Sequence, residues 1–334
     1  MNRKVMIHIP SHIPSKVFAF SLSFLAFSLL SCNSQNANRS QTETNGKPNV
    51  VATSTILADL TAEVGGDEIQ LKGILQPGTD PHVYEPVPAD TVALEKAKLI
   101  VYNGYNLEPG LIKLMNATGI KAQKVAVGEV VKPLELDKGQ GEVVPDPHVW
   151  GNVKNVIQMV NAIRDALIAT SPEDKQKFTE NAQKLTQELQ LLDVWIRQQI
   201  NTIPPDKRKL VTSHDAFQYY GRGYGIEIFG TLIGISTEEQ PSAQTVKNLV
   251  DALKKSGVPA IFAETTINPA LIKTVAQEAG VKLAPNQLYS DSIGAPGSDG
   301  DTYIKMMVAN TKAIVEALGG KYKPFQPVPK TQPN

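Results

Sequence analysis

The chain has 334 residues, enough for one large or two medium hydrophobic cores. Its 33 basic and 33 acidic residues cancel, and no run of Lys and Arg carries interleaved aromatics, which argues against a nucleic-acid-binding surface. A single cysteine excludes any disulfide within the chain, even in an oxidising compartment.

Residues 1–31 read as a signal peptide. Arg3, Lys4 and Lys16 charge its first part, and the apolar run Val17 to Leu30 is too short to span a bilayer comfortably. Removing it takes three bases and no acid, which leaves 30 bases against 33 acids. Leu29-Leu30-Ser31-Cys32 resembles the lipobox of bacterial lipoproteins, which implies a lipidated Cys32 as the mature N-terminus. Residues 32–48 are polar and lack a core-forming pattern, so they are expected to be a flexible tether. The protein is expected to work outside the cytoplasmic membrane, held to it by the anchor.

An N-terminal α/β lobe is predicted over 49–170. Strands are expected at 49–55, 69–75, 99–102 and 124–127, and helices from Ile56, over 88–96, 107–117 and 153–169; 137–145 reads as a loop. A linking helix is predicted over 171–203. Ser171-Pro172-Glu173-Asp174 supplies a capping hydroxyl, a first-turn proline and acids at the positive end. Phe178, Ala182, Leu185, Leu189, Leu192, Ile196 and Ile200 then form one apolar stripe, and Pro204-Pro205 stops it. Such a helix reaches on the order of 45 Å, the height of a two-lobed protein. A second α/β lobe follows over 204–320. Strands are expected at 209–213, 226–232, 259–263 and 281–284, with helices over 215–222, 242–255, 269–279 and 303–318. Alternating strands and helices argue for parallel or mixed sheets in both lobes, and the Pro- and Lys-rich 321–334 is expected to fray.

Of five histidines, His8 and His12 lie in the signal segment; His82, His148 and His214 remain. Each stands where a strand or loop hands over to the next element, the place where open α/β sheets bind ligands. The first two share a frame, Asp80-Pro81-His82-Val83-Tyr84 and Asp146-Pro147-His148-Val149-Trp150. Proline stiffens the turn that presents the imidazole. Asp80 and Asp146 are expected to accept a hydrogen bond from local backbone or from the ring, as carboxylates behind metal-binding histidines do. Three histidines in comparable contexts, with none scattered elsewhere, point to a divalent metal. Glu264 ends an apolar strand and needs a partner there, as a ligand or as an acceptor behind one.

The sequence resembles the solute receptors that deliver zinc or manganese to ABC importers. The resemblance runs from about Val50 to Leu318. It rests on the two Asp-Pro-His frames, Thr212-Ser213-His214-Asp215-Ala216-Phe217, Gly234-Ile235-Ser236-Thr237 with Pro241-Ser242, Ile261-Phe262-Ala263-Glu264 and Tyr289-Ser290-Asp291. It implies two α/β lobes joined by a long helix, one metal ion in the cleft, His82, His148, His214 and Asp291 as ligands, and a permease with its ATPase as partners. It also implies an extracytoplasmic monomer and no enzymatic activity. Receptors resembling the manganese group carry glutamate where this chain has His214. The zinc group often carries a His-rich insertion that 137–145 lacks, and Gly151-Asn152-Val153 departs from the family's usual sequence after Trp150.

Three imidazoles and a carboxylate suit tetrahedral Zn²⁺, and nitrogen donors favour it over Mn²⁺. A bidentate Asp291 would admit Mn²⁺. Gly294, Gly297 and Gly300 after Asp291 are expected to let its loop move. Two other readings are a secreted zinc hydrolase and a lipid-anchored adhesion protein with a structural metal. The hydrolase lacks His-Glu-x-x-His, a Gly-x-Ser-x-Gly elbow and a Cys-His pair.

Overall fold

Alternation of apolar side chains builds the first lobe. In the computed structural model, which describes residues 46–118, 121–137 and 143–327, β1 (Asn49–Ala52) buries Val50 and Ala52 on one face and Val51 on the other. In β3 (Leu99–Tyr102), Leu99 and Val101 oppose Ile100 in the same way. With both faces buried, these strands suit a parallel sheet. Together with β2 (Gln70–Gly73) and β4 (Gln123–Ala126) they form one, ordered β2-β1-β3-β4. The signal segment, Cys32 and most of the expected tether lie outside the described residues.

Helices α1 (Thr55–Gly65), α2 (Pro88–Lys96) and α3 (Pro109–Ala117) cross between these strands. Ser54 caps α1 through the amide of Leu57. The expected loop over 137–145 is instead flanked by two short antiparallel strands, β5 (Glu135–Asp137) and β6 (Val143–Pro145). Three residues are too few for a period-two pattern to declare itself. Asn152, one of the residues that depart from the expected family sequence, caps α4 (Val153–Thr170) by accepting from the Lys154 amide.

The linking helix is shorter than predicted. Ser171 closes α4, Pro172–Asp174 make a 3₁₀ turn, and α5 runs Lys175–Ile200, about 39 Å at 1.5 Å per residue. The Ser171 hydroxyl donates to Asp174 Oδ2 (2.6 Å) instead of capping a backbone amide. At the far end, residues 201–203 leave the helix before Pro204, because proline disfavours the α conformation in the residue before it. The predicted stripe from Phe178 to Ile200 is buried throughout and packs on α1, α4 and later α9 (Tyr303–Ala317).

The second lobe repeats the first. β7 (Lys209–His214) pairs in parallel with β8 (Glu227–Ile233), and β9 (Ala260–Ile261) with β10 (Lys282–Leu283). The Phe262 amide donates to the Val211 carbonyl (2.9 Å), setting β9 beside β7 in the order β8-β7-β9-β10. Its helices are α6 (Gln218–Tyr224), α7 (Ala243–Ser256), α8 (Ala270–Ala279) and α9. Each sheet reverses its winding between its first and third strand, which opens a crevice at the strands' carboxyl ends. One core cluster runs from Val50 and Leu99 through α4 and α5 to Leu210, Phe262 and Ile314. A core shared by both lobes favours small relative motions over wide hinging.

The tail departs from expectation as far as residue 327. Trp195 Nε1 donates to the Lys323 carbonyl (3.0 Å), the Lys323 amide donates to Gln199 Oε1 (2.7 Å), and Tyr322 and Phe325 meet the Trp195 ring edge-on. Among the described residues, no helix is long and apolar enough to cross a membrane.

In the first lobe's crevice Glu108 is wholly buried. Thr53 Oγ1 and the Asn103 amide both donate to its Oε1 (2.7 and 2.8 Å), while Oε2 has no partner. Burial pushes its pKa up from 4.5 to about 7, against the pull of these hydrogen bonds. The fold therefore favours the protonated acid. This contribution is complete below the unfolded value of 4.5 and is lost as pH rises through about 7, a change of about 3 kcal/mol. Glu108→Gln is expected to flatten the dependence of melting temperature on pH between 5 and 8. An unaltered profile would remove Glu108 from that role.

Candidate metal centre

Each lobe delivers two side chains to one point. His214 is the last residue of β7, Asp291 follows the parallel bridge of Glu264 with Leu288, and His82 and His148 end the Asp-Pro-His turns of the first lobe. His148 and His214 are fully buried, Asp291 is 1% exposed and His82 3%. One ligand atom from each of the four lies within 4.8 Å of all the others. His82 Nε2 and His148 Nε2 are 3.2 Å apart; Asp291 is 3.1 Å from His214 Nε2 through Oδ2 and 3.5 Å from His148 Nε2 through Oδ1. Four donors at about 2.0–2.2 Å from a tetrahedral ion stand roughly 3.3–3.6 Å apart. The nearest pairs already match, and the widest need only draw together.

Hydrogen bonds behind the rings turn the lone pairs inward. Asp146 Oδ1 accepts from the His148 amide (2.9 Å) and pairs with its Nδ1 (2.7 Å). Glu264 Oε1 accepts from the His214 amide (2.8 Å), and its Oε2 pairs with His214 Nδ1 (2.5 Å). A proton on each Nδ1 leaves Nε2 free to coordinate. Glu264 thus stands behind His214, with both oxygens engaged there. His214 Nε2 and both Asp291 oxygens are buried without a hydrogen-bond partner: they are close, but not aligned as donor and acceptor. Orphaned atoms aimed at a shared point fit a cation between them.

Asp80 departs from expectation. Its Oδ1 accepts from the His82 amide (2.9 Å), as Asp146 does for His148, but its Oδ2 accepts from Thr237 Oγ1 (2.6 Å) and makes no bond to the ring. The shared frame fixes the Asx turn; what the second oxygen finds depends on the opposite lobe. Among the four site residues His82 alone borders a cavity of about 460 Å³, whose lining includes Tyr105, Glu129, Pro147, Ser236 and Glu238.

The electrostatics divide the site. Burial opposes a charge on His214, but Glu264 and Asp291 outweigh it and raise its pKa well above the ordinary imidazole value. Burial also pushes Asp291 up, but the three imidazoles, His214 foremost, more than reverse this and hold it below the usual carboxylate range. His82 has no carboxylate behind its ring; burial lowers it to about 3, only partly offset by Asp291.

The loop after Asp291 is tied down, contrary to the mobility its glycines suggested. The Gly294 amide donates to the Gly300 carbonyl (2.8 Å), and a side chain at Gly300 would strike the Tyr289 ring. Asn310 brackets Tyr289 through both its backbone groups, and Trp150 Nε1 donates to the Ser290 carbonyl (2.9 Å). Sequence reasoning assigned no role to Thr55 or Ser292, and named Thr237 only within the Gly234-Ile235-Ser236-Thr237 motif; all three join the lobes beside the site. Adjacency to Asp291 was the sole signal for Ser292.

Residues 50–317 match the family model described as ZnuA, zinc-uptake complex component A, periplasmic. The manganese-binding lipoprotein MntA of Halalkalibacterium halodurans is 33% identical over 301 residues, covering 90% of this chain and 98% of the relative. The metal ABC transporter substrate-binding lipoprotein FimA of Streptococcus parasanguinis is 36% identical over 301 residues, covering 88% and 95%. Among solved structures, the periplasmic zinc-binding protein TroA from Treponema pallidum aligns with a TM-score of 0.77 at 33% identity, over 82% of this chain and 99% of that one.

Proposed function

The chain belongs to the ZnuA family of zinc-uptake components, and from that membership we propose that it is an extracytoplasmic receptor holding one divalent cation between its lobes for an ABC importer. The observation that carries this reading is the convergence of His82, His148, His214 and Asp291, two from each lobe, on one buried point. These four are the proposed ligands. Relatives are substrate-binding components, and this chain is a binding protein, not an enzyme. The permease and its ATPase are the partners, and Cys32 is the proposed lipid anchor.

Zinc is the favoured cargo because three imidazole nitrogens and one carboxylate form a set that Zn²⁺ holds more tightly than Mn²⁺. Manganese is the second reading. Both Asp291 oxygens are free to bind together, which raises the coordination number, and relatives such as MntA are named for manganese. In either case the ion enters past His82, the ligand that borders the open cavity.

Binding must displace the proton that His214 holds in the metal-free site. Affinity is therefore expected to rise by about tenfold per pH unit through neutrality, since one proton leaves for each ion bound. Titration calorimetry of the mature chain with Zn²⁺ and Mn²⁺, at pH 7.5 and 5.5, tests both points. One ion per chain and weaker binding in acid support the reading. Equal affinity at the two pH values would rule out histidine ligation.

A further inference from the structure

Hydroxyl groups make several contacts between the lobes next to the ligands. Thr237 Oγ1 in the second lobe donates to Asp80 in the turn that carries His82. Two more meet at Ser292, which is fully buried and directly follows Asp291. The Gly78 amide donates to Ser292 Oγ (2.8 Å), and Thr55 Oγ1 lies 3.0 Å from it. Ser292 Oγ also reaches the Ile293 carbonyl (3.0 Å), and the Ile293 amide donates to Thr55 Oγ1 (3.1 Å). One arrangement of protons satisfies all four bonds: Thr55 donates to Ser292, and Ser292 donates to the Ile293 carbonyl. Gly78 has φ +81°, a left-handed conformation that favours glycine, and this turns its amide toward Ser292.

Ser292 therefore joins the Asp291 segment to two parts of the first lobe, the start of α1 and the turn leading to His82. Trp150, which donates to the Ser290 carbonyl, ties the same segment to the first lobe by a separate route. We propose that Ser292, with Thr55 as its partner, is a closure latch that holds Asp291 against the first lobe and so sets how fast the bound cation escapes. The proposal rests on the receptor reading above, in which Asp291 and His82 are ligands. The latch is a positioning device: neither hydroxyl touches the ion. Opening it costs the bonds between buried groups, so its loss should act on release much more than on the number of ions bound.

The test is release of Zn²⁺ from the loaded mature chain into excess chelator, followed by stopped flow. Ser292→Ala and Thr55→Val are each expected to release zinc roughly tenfold faster, the effect of losing one to two buried hydrogen bonds. Thr55→Ser, which keeps the hydroxyl, should behave as the unaltered protein. The double variant Thr55→Val/Ser292→Ala should release no faster than the faster single variant, since both break one device. Stoichiometry should stay at one ion. Unaltered release from Ser292→Ala and Thr55→Val, with one ion still bound, would overturn the latch and leave the receptor reading standing. So would multiplicative effects in the double variant, or failure of Thr55→Ser to restore slow release. Asp291→Ala binding zinc as tightly as the unaltered chain would instead overturn the ligand reading, and the latch with it. If Ser292→Ala does not fold, the Val and Ser variants at Thr55 carry the test alone.

Discussion

Asp291→Ala is expected to lower affinity for Zn²⁺ and Mn²⁺ by more than about a hundredfold, because groups that merely orient a metal ligand already contribute 10- to 100-fold and Asp291 is itself a proposed ligand. It is the sole carboxylate in the converging quartet, and both its oxygens are buried without hydrogen-bond partners. Its removal leaves three imidazoles, one of which is paired with Glu264. The cation must then enter without a neutralising charge of its own. Asp291→Asn separates the two contributions: it keeps the shape and one oxygen donor but removes the charge, so its affinity should fall between those of Ala and the unaltered chain. Chelator competition measures the affinities. Thermal unfolding gives an independent readout, since a bound ion raises stability by RT ln(1 + [L]/Kd). The metal-dependent rise in melting temperature should vanish in Asp291→Ala at metal concentrations that saturate the unaltered protein. A retained rise would place the ion elsewhere.

Most of the site was legible because its chemistry is carried by rare residues in marked contexts. His82 and His148 sit in matching Asp-Pro-His turns, His214 at a strand end, and a buried stripe from Phe178 to Ile200 announced the linking helix. The resemblance supplied what spacing lacks, that residues so far apart meet and that Asp291 joins the three histidines. What stayed hidden depends on the partner surface. Asp80 and Asp146 have the same local sequence, yet one carboxylate reaches its histidine ring and the other is drawn to Thr237. The tail looked too polar to dock until Trp195 presented a ring and an N–H to it. Ser292 and Thr55 are ordinary residue types, and their importance lies in a contact across more than 230 positions. The glycines at 294, 297 and 300 read as freedom, whereas Gly300 leaves room for Tyr289 to pack.

His214→Glu is expected to lower the Zn²⁺-to-Mn²⁺ affinity ratio by at least about tenfold, since an oxygen donor replaces a nitrogen and the nitrogen is what favours zinc. The geometry adds a consequence that sequence alone does not reveal. Glu264 Oε2 lies 2.5 Å from His214 Nδ1, in a fully buried pair. A carboxylate introduced at position 214 faces Glu264 as well as Asp291, and two buried carboxylates at such separation cannot both ionise. One of them must take a proton, which competes with the metal and lowers absolute affinity for both ions. The ratio should still shift, because it depends on which atom meets the cation. Pairing the change with Glu264→Gln removes the repulsion and restores a donor behind the new carboxylate. The double variant should therefore keep the lower ratio while recovering affinity, most of all for Mn²⁺. Competition between the two ions, measured for the single and double variants at one pH, separates the contributions. An unchanged ratio in both would mean that position 214 does not contact the ion. A ratio that returns to the original value in the double variant would assign the selectivity to the charge of Glu264 instead of to the donor atom.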